Sequence, residues 1–155
     1  MDRSEIEQAL ENCELFKGLK KADIEKIARL CQVEKHGPGE YIFCQGDFGE
    51  NLYIIAEGRI FLERAMDLGR RKANVIIGSL GTGRAFGCWS TLLGEAHNLM
   101  SSATCQKATR VVVIRGADLR EVMLSNAELG FNVLQKLCFL LRDRIQGAFG
   151  AMEKV

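Results

Sequence analysis

Glycine residues divide the middle of this chain into short segments, and this division is the strongest constraint on its fold. Four runs rich in β-branched and aromatic residues lie between glycine-containing turns: EYIFCQG, NLYIIAEGRIFLER, ANVIIGSL and ATRVVVIR. The second run reads as two strands joined at Glu57-Gly58. Short strands at regular spacing indicate antiparallel pairing into a sandwich or barrel. We therefore predict a jelly-roll-like antiparallel β-roll over residues 37–115.

The segment before the roll is predicted to be helical. Ser4, with Glu7 three residues later, has the pattern of a capping box at the start of a first helix. A second apolar face with helical spacing runs through KKADIEKIARLCQVEK at 20–35, and HGPG at 36–39 ends it. We predict N-terminal helices over residues 1–36.

The segment after the roll, residues 117–155, carries the clearest helical period, with Asp118 and Asn126 as predicted N-caps. Apolar residues separated alternately by four and three positions form a row that we call the seam: Ala127, Phe131, Leu134, Cys138, Leu141, Ile145, Ala148 and Met152. A second row, Val133, Leu137 and Leu140, lies beside it. One row packed on the roll and the other on a second copy would make a homodimer. The alternative is a single wide stripe buried within one chain.

Together these patterns predict one domain over residues 1–155, of the α+β class, with a β-roll between N-terminal helices and a long C-terminal helix. We find no internal repeat, low-complexity tract or linker.

Charge and composition argue against several classes of function. The chain has 21 basic and 20 acidic residues, a formal net charge of +1, so it lacks the basic excess of proteins that bind DNA or anionic membranes. Its first residues lack the apolar stretch of a signal peptide, and runs such as VVVI are too short to span a bilayer. These features predict a cytoplasmic protein.

Metal binding and catalysis are also not expected. The six cysteines contain no C-x-x-C pair and only two histidines are present, so the close ligand pairs of a zinc or iron–sulfur site are missing. We predict reduced, mostly buried cysteines. No nucleophile–base pair or paired carboxylates mark an active site, which predicts a protein that is not an enzyme and needs no cofactor.

The order of elements resembles the cyclic nucleotide-binding domain of the catabolite activator protein superfamily. The resemblance is carried by LFKGLKKADIEKIARL (15–30), GPGEYIFCQGDFGENLYIIAEGRI (37–60), LGTGRAFG (80–87) and SAT (102–104), and it extends over nearly the whole chain from about residue 10. It implies a stand-alone module that binds a cyclic nucleotide, cAMP or cGMP, inside the roll. The phosphate would sit at the N-terminus of a short helix, where free N–H groups favour an anion.

The resemblance also implies a glutamate for the ribose 2′-hydroxyl and an arginine for the phosphate, within a segment we call the cassette, residues 83–104. Gly87 matches the glycine of the family, and Trp89 and Ser90 can offer backbone donors. Cys88 stands in place of the glutamate, and a thiol is a weak acceptor. The cassette is therefore degenerate at this position.

The arginine position is ambiguous because two alignments of the cassette differ by four residues. Counting forward from Gly87 places His97 there, whereas counting back from Ser102, Ala103 and Thr104 places Ser101 there, so NLMS at 98–101 reads as an insertion. Neither count gives an arginine. Arg84, in the preceding turn, is predicted to be solvated, although from there it could reach an anion.

Two functions follow as alternatives. The first is a regulatory sensor that binds a cyclic nucleotide weakly, or another small anionic ligand, using the turn at Gly87 and nearby hydroxyls. The second is a ligand-free dimerisation or protein-interaction module whose pocket is filled by its own Trp89 and Leu99. In both, the signal passes to an unidentified protein effector. DNA binding is not expected, because no helix-turn-helix follows the long helix in this sequence.

Overall fold

The computed structural model describes residues 2–153 and has the α+β architecture that the sequence predicts. The α-helices are α1 (Arg3–Glu11), α2 (Lys21–Ala28), α3 (Gly116–Ser125) and α4 (Ala127–Met152). The strands are β1 (Gln32–His36), β2 (Tyr41–Phe43), β3 (Phe48–Gly49), β4 (Asn51–Glu57), β5 (Arg59–Asp67), β6 (Lys72–Gly81), β7 (Ala85–Gly87), β8 (His97–Asn98), β9 (Ser102–Cys105) and β10 (Thr109–Arg115). A 3₁₀ helix spans Trp89–Leu93. No helix in the described residues is both long enough and apolar enough to cross a membrane.

The strands form an antiparallel roll. One four-stranded sheet has the order β1-β10-β4-β7, a second has the order β2-β9-β5-β6, and β3 pairs with β8 in a small ribbon. The predicted turn at Glu57-Gly58 is confirmed, because β4 ends at Glu57 and β5 begins at Arg59.

The prediction of a helix over residues 20–35 is wrong in its second half. Helix α2 ends at Ala28, and residues 32–36 form β1, which pairs with β10 from Gln32↔Val113 to His36↔Thr109. Pairing with the β-branched β10 supplies a full ladder of hydrogen bonds to this segment and outweighs its helical periodicity. The boundary between the N-terminal helices and the roll therefore lies near residue 31 rather than at 36.

Two of the three predicted helix caps are wrong. Asp2 caps α1 by accepting a hydrogen bond of 2.9 Å from the N–H of Glu5, so Ser4 lies inside the helix. Helix α3 begins at Gly116, which places Asp118 in its first turn. The prediction for α4 is confirmed, because the side chain of Asn126 accepts from the N–H of Leu129 at 3.2 Å.

Alternation along β4 separates two apolar clusters. Leu52 and Ile54 face the helices, where they join a helical cluster that includes Phe16 of the N-terminal region. Tyr53 and Ile55 face the opposite way into the interior of the roll. Because successive side chains of a strand point to opposite faces, one strand serves both cores.

Helix α4 packs differently along its length. Its buried residues are Leu129, Gly130, Val133, Leu137 and Leu140, so the predicted second row lies in the helical cluster. None of the described residues after Leu140 in this helix is buried. We call residues 127–140 the anchored half and residues 141–152 the covering half.

The cysteines are free thiols in the structure, but only half of them are buried. Cys13, Cys88 and Cys105 are buried, Cys31 is half-buried, and Cys44 and Cys138 are exposed. Within the described residues, no group of three or more histidine, cysteine or acidic side chains could hold a metal ion.

Candidate functional site: a cavity between the roll and helix α4

Gly87, at the end of β7, has a backbone conformation that favours glycine. Gly87 has φ +129°, and a Cβ at this position would lie 2.5 Å from the carbonyl oxygen of Asn51. The chain therefore passes tightly against β4 before it enters the 3₁₀ helix at Trp89. The short helix expected in this segment is present, and the N–H groups of Trp89 and Ser90 donate to no other residue in the described chain.

Cys88 lies in the interior of the roll, among apolar side chains. It is buried, and its N–H donates to the carbonyl of Asn51 at 3.0 Å. A Cβ added to Gly49 would lie 2.7 Å from the Cβ of Cys88 and 3.0 Å from the Cγ of Leu99. Cys88, Gly49 and Leu99 therefore meet closely where the resemblance places a glutamate, and Leu99 takes the adjacent space.

The predicted NLMS insertion delivers Leu99 to that place. The N–H of Leu99 donates to the carbonyl of Asp47 at 2.7 Å, and the carbonyl of Leu99 accepts from the N–H of Gly46 at 2.8 Å. Beside it, β8 pairs with β3, and His97 is exposed with its ring Nδ1 2.9 Å from the carbonyl oxygen of Asn98. Residues 97–99 therefore pack against the turn that precedes β3, with the side chain of Leu99 in the roll interior and the side chain of His97 in solvent.

Strand β9 alternates across the roll wall. Ala103 is fully buried in the roll interior, whereas Ser102 and Thr104 point to the other face. The hydroxyl of Ser102 accepts from the N–H of Gln45 at 2.8 Å. The hydroxyl of Thr104 is buried without a hydrogen-bond partner in the described residues.

A cavity of about 370 Å³ lies between the open end of the roll and α4. Its apolar wall comes from the roll, the cassette and the covering half of α4: Phe43, Leu62, Ile77, Phe86, Trp89, Leu99, Met100, Leu141, Ile145 and Ala148. Its other lining residues are Arg64, Gly87, Ser101 and Arg144. A volume of this size is typical of a small-molecule site.

The structure brings three of the nine predicted ligand-binding residues to this cavity. Gly87, Trp89 and Ser101 line it. The other six do not: Cys88, Ser90, His97, Ser102, Ala103 and Thr104.

Part of the seam lines the cavity, and its other large side chains are exposed to solvent. Leu141, Ile145 and Ala148 line the cavity, although Ile145 remains 53% exposed. The remaining large members, Phe131, Leu134 and Met152, are exposed, as is Cys138. A dimer along this helix is therefore not tested by the single chain, and the homodimer stays a prediction.

Sequence reasoning missed the cations at the cavity. Arg144 is 15% exposed, and its Nη2 donates to the carbonyl of Ala85 at 2.6 Å and to Oε2 of Glu14 at 3.3 Å. The same Oε2 accepts from Nε of Arg84 at 2.8 Å and from the N–H of Ala85 at 2.8 Å. Arg84 is therefore ion-paired rather than simply solvated. Burial lowers the pKa of Arg144, while the charge of Glu14 opposes that shift.

A signal for both missed arginines was present in the sequence outside the cassette. Arg144 continues the row of Val133, Leu137 and Leu140 at the next helical step, so it interrupts an apolar stripe. Arg64 follows the inward-facing Leu62 by two residues on β5 and therefore shares its face. A charged residue on an apolar face indicates a buried partner or a ligand.

Comparison with known proteins agrees with this architecture. A family model described as a cyclic nucleotide-binding domain matches residues 33–126. A candidate potassium channel protein of Rhodopseudomonas palustris is 32% identical over 122 residues, which are 78% of this chain and 28% of that protein. The cyclic AMP receptor protein of Thermus thermophilus is 31% identical over 101 residues, 65% of this chain and 45% of that protein. The chain thus spans less than half the length of either relative.

Solved structures share the fold at low sequence identity. A cyclic nucleotide-binding domain from Methylobacillus flagellatus matches with a TM-score of 0.79 and 19% identity, covering 99% of this chain and 84% of that one. The sensor domain of the transcriptional regulator DNR from Pseudomonas aeruginosa matches with a TM-score of 0.72 and 17% identity, covering 93% of each chain.

Proposed function

Because this chain belongs to the cyclic nucleotide-binding domain family, we propose that it is a non-catalytic sensor module in which a small ligand enters the cavity and changes the position of α4. The observation that carries the proposal is the place of the cavity, which is walled on one side by the roll and on the other by the covering half of α4. A ligand that contacts both walls binds one arrangement of the helix better than another, and this difference shifts the equilibrium between them.

The second part of the proposal is that cyclic nucleotides bind weakly. Cys88 offers no carboxylate, Leu99 lies beside it, and no arginine stands at 97 or 101. A hydrogen bond to a charged partner contributes about 1.5–3 kcal/mol. Loss of two such bonds costs on the order of 3–6 kcal/mol, or ~10²–10⁴ in affinity, which is enough to move a micromolar site into the millimolar range.

The alternative of a self-filled interaction module has one specific observation in its favour. Leu99 is 9% exposed and packs in the roll interior, as that hypothesis requires. A cavity of about 370 Å³ nevertheless remains beside it, and Trp89 forms part of its wall. This residual volume supports the sensor over the filled module.

The output of the module is proposed to pass through the seam. Phe131 and Leu134 on α4 are exposed apolar side chains on one face of the anchored half. A second copy packed along this face would bury them and make a homodimer whose geometry responds to the cavity.

Titration of Trp89 fluorescence with cAMP and cGMP tests the proposal directly, because Trp89 is the single tryptophan of the chain and lies in the cavity wall. We expect a saturable change with a Kd in the millimolar range. A matched triple variant, Cys88→Glu with Leu99→Ala and Ser101→Arg, restores both ionic groups and the space between them, and we expect at least tenfold tighter cAMP binding.

Replacement of the exposed Cys44 by Glu serves as a control for the carboxylate introduced at position 88, since it adds one negative charge at the surface. Micromolar binding of a cyclic nucleotide to the unaltered protein would contradict the expected weakness. No response of Trp89 to cyclic nucleotides or to any other small anion would favour the self-filled module.

A further inference from the structure

The cavity has a chemistry of its own, distinct from that of a site for a polar nucleotide. Most of its lining is aliphatic or aromatic. Among the described lining residues, the neutral side-chain hydrogen-bonding groups are the hydroxyl of Ser101 and the indole N–H of Trp89. A purine, ribose and cyclic phosphate together need many polar partners, and each one left unmade in a dry site carries a desolvation cost. An apolar molecule loses nothing on the same wall.

The charges at the cavity are of one sign. Arg64 and Arg144 line it, and no carboxylate does so among the residues that the structure describes. Glu14 is shared by Arg84 and Arg144, so this cluster of three side chains carries a net charge of +1. A half-buried excess positive charge favours the entry of one further anion.

Arg144 also has donors to spare. Its Nη2 serves both Ala85 and Glu14, which leaves the Nε–H and Nη1–H groups without a partner in the described chain. Those groups are not sealed from access, since they are absent from the buried, unpartnered atoms of the described residues. Each of these free N–H groups can donate a charge-assisted hydrogen bond to a carboxylate.

We propose that the cavity binds an amphipathic monoanion, with an aliphatic or aromatic body against the apolar wall and a single carboxylate at Arg144. This inference rests on the sensor function proposed above and names the class of ligand for that site. Arg64, which donates to the carbonyl of Met100 at the rim, adds a second positive charge near the opening. Because Arg144 lies on α4 and is bonded to Ala85 of β7, the head group of the ligand would bridge the helix and the cassette.

The test compares octanoate, below its micelle concentration, with octanol, which has the same chain and no charge. Trp89 emission reports occupancy in both titrations. We expect octanoate to bind at least tenfold more tightly than octanol. In Arg144→Gln, octanoate affinity should fall by about tenfold to a hundredfold, whereas octanol affinity, which reports only the loosening of α4, should fall by a clearly smaller factor.

Two further variants keep the test decisive. Arg142→Gln removes a charge from the same helix at a side chain that is 63% exposed and outside the cavity, and it should leave octanoate binding unchanged. Arg64→Gln, at an exposed position, should weaken octanoate alone by a smaller factor and is informative even if Arg144→Gln does not fold.

Each of the following outcomes would overturn the inference. Equal affinities for octanoate and octanol would show that the carboxylate does not contribute to binding, and no binding of either would show that the cavity does not take this class of ligand. Tighter binding of cAMP than of octanoate would contradict the class of ligand and leave the sensor function standing. Failure of Trp89 to respond to octanoate, octanol and cyclic nucleotides alike would overturn both proposals.

Discussion

The two halves of α4 share one continuous helix but are held in different ways. The anchored half is fixed by a buried row, Val133, Leu137 and Leu140, in the helical cluster. The covering half has no buried residue after Leu140 and is held over the cavity by half-buried apolar contacts and by Arg144. Buried packing therefore fixes the anchored half. The covering half, which a ligand would contact, is held by half-buried apolar contacts and by the hydrogen bonds of Arg144, so it should open at a lower free-energy cost.

The largest expected effect comes from the buried row. Leu140→Ala removes a side chain that is 2% exposed and should lower the free energy of unfolding by about 2–5 kcal/mol, measured by urea denaturation. Leu134→Ala, on the exposed face of the same half at 42% exposure, is the matched control and should cost under about 1 kcal/mol. Equal losses for the two variants would contradict the packing of the anchored half.

Alkaline pH should weaken the cluster beneath the anchored half. Burial raises the pKa of both Cys13 and Cys31 from 9.0 to about 12. Below pH 9 both thiols are protonated in the folded and in the unfolded state, so the free energy of unfolding does not depend on these groups there. Above pH 9 the unfolded state releases its protons first, and stability falls as the pH rises toward 12. By pH 10 the loss should be ~1 kcal/mol per thiol.

Urea midpoints at pH 8 and pH 10 would measure this loss. Cys31→Ala should reduce the pH dependence by about half, whereas Cys44→Ala, at an exposed thiol, should leave it unchanged. A stability that is flat between these pH values would contradict the raised pKa values.

Loss of the shared carboxylate should release the covering half. Glu14→Gln leaves Arg144 and Arg84 without their anion and should cost about 1.5–3 kcal/mol of stability. Amide hydrogen exchange should accelerate in residues 141–152 more than in residues 127–140. Glu11→Gln, at an exposed position of α1, is the control, and uniform acceleration along α4 would contradict the division of the helix.

The smallest expected effect concerns the seam. If a second copy covers the anchored half, alkylation of the exposed Cys138 should slow severalfold as the protein concentration rises. Cys44, exposed on the roll, serves as an internal reference that should not change. Equal rates at all concentrations, together with a monomeric mass by light scattering, would contradict a dimer along this face.

The sequence supports the prediction of the roll and its helices because glycine turns and apolar periods are local signals. The cap at Asn126 followed from such a pattern and is confirmed. The two apolar rows of α4 were also visible in the sequence, but the pattern did not say which of them is buried, and the structure buries Val133, Leu137 and Leu140. Strand β1 did not follow from a local pattern, because its structure depends on pairing with β10, about eighty residues away in the sequence. A charged segment with helical spacing gives no sign of that partner.

The site was only partly predictable for a related reason. Gly87, Trp89 and Ser101 were found because they lie within one contiguous cassette. Arg64 and Arg144 come from distant elements, and the search for a cation inside residues 83–104 could not reach them. Glu14 pairs with arginines 70 and 130 residues away, and only the folded chain shows that they share one carboxylate oxygen.

The covering half of α4 also packs against the edge strand of one sheet. Strand β6 is the outer strand of its sheet, and the helix comes so near that a Cβ on Gly147 would lie 3.4 Å from the carbonyl oxygen of Ile77. An uncovered outer strand of ten residues offers unpaired backbone groups to any other chain. Movement of this end of the helix away from the roll would therefore open the cavity and also expose the edge of β6, where another chain could add a strand to the sheet.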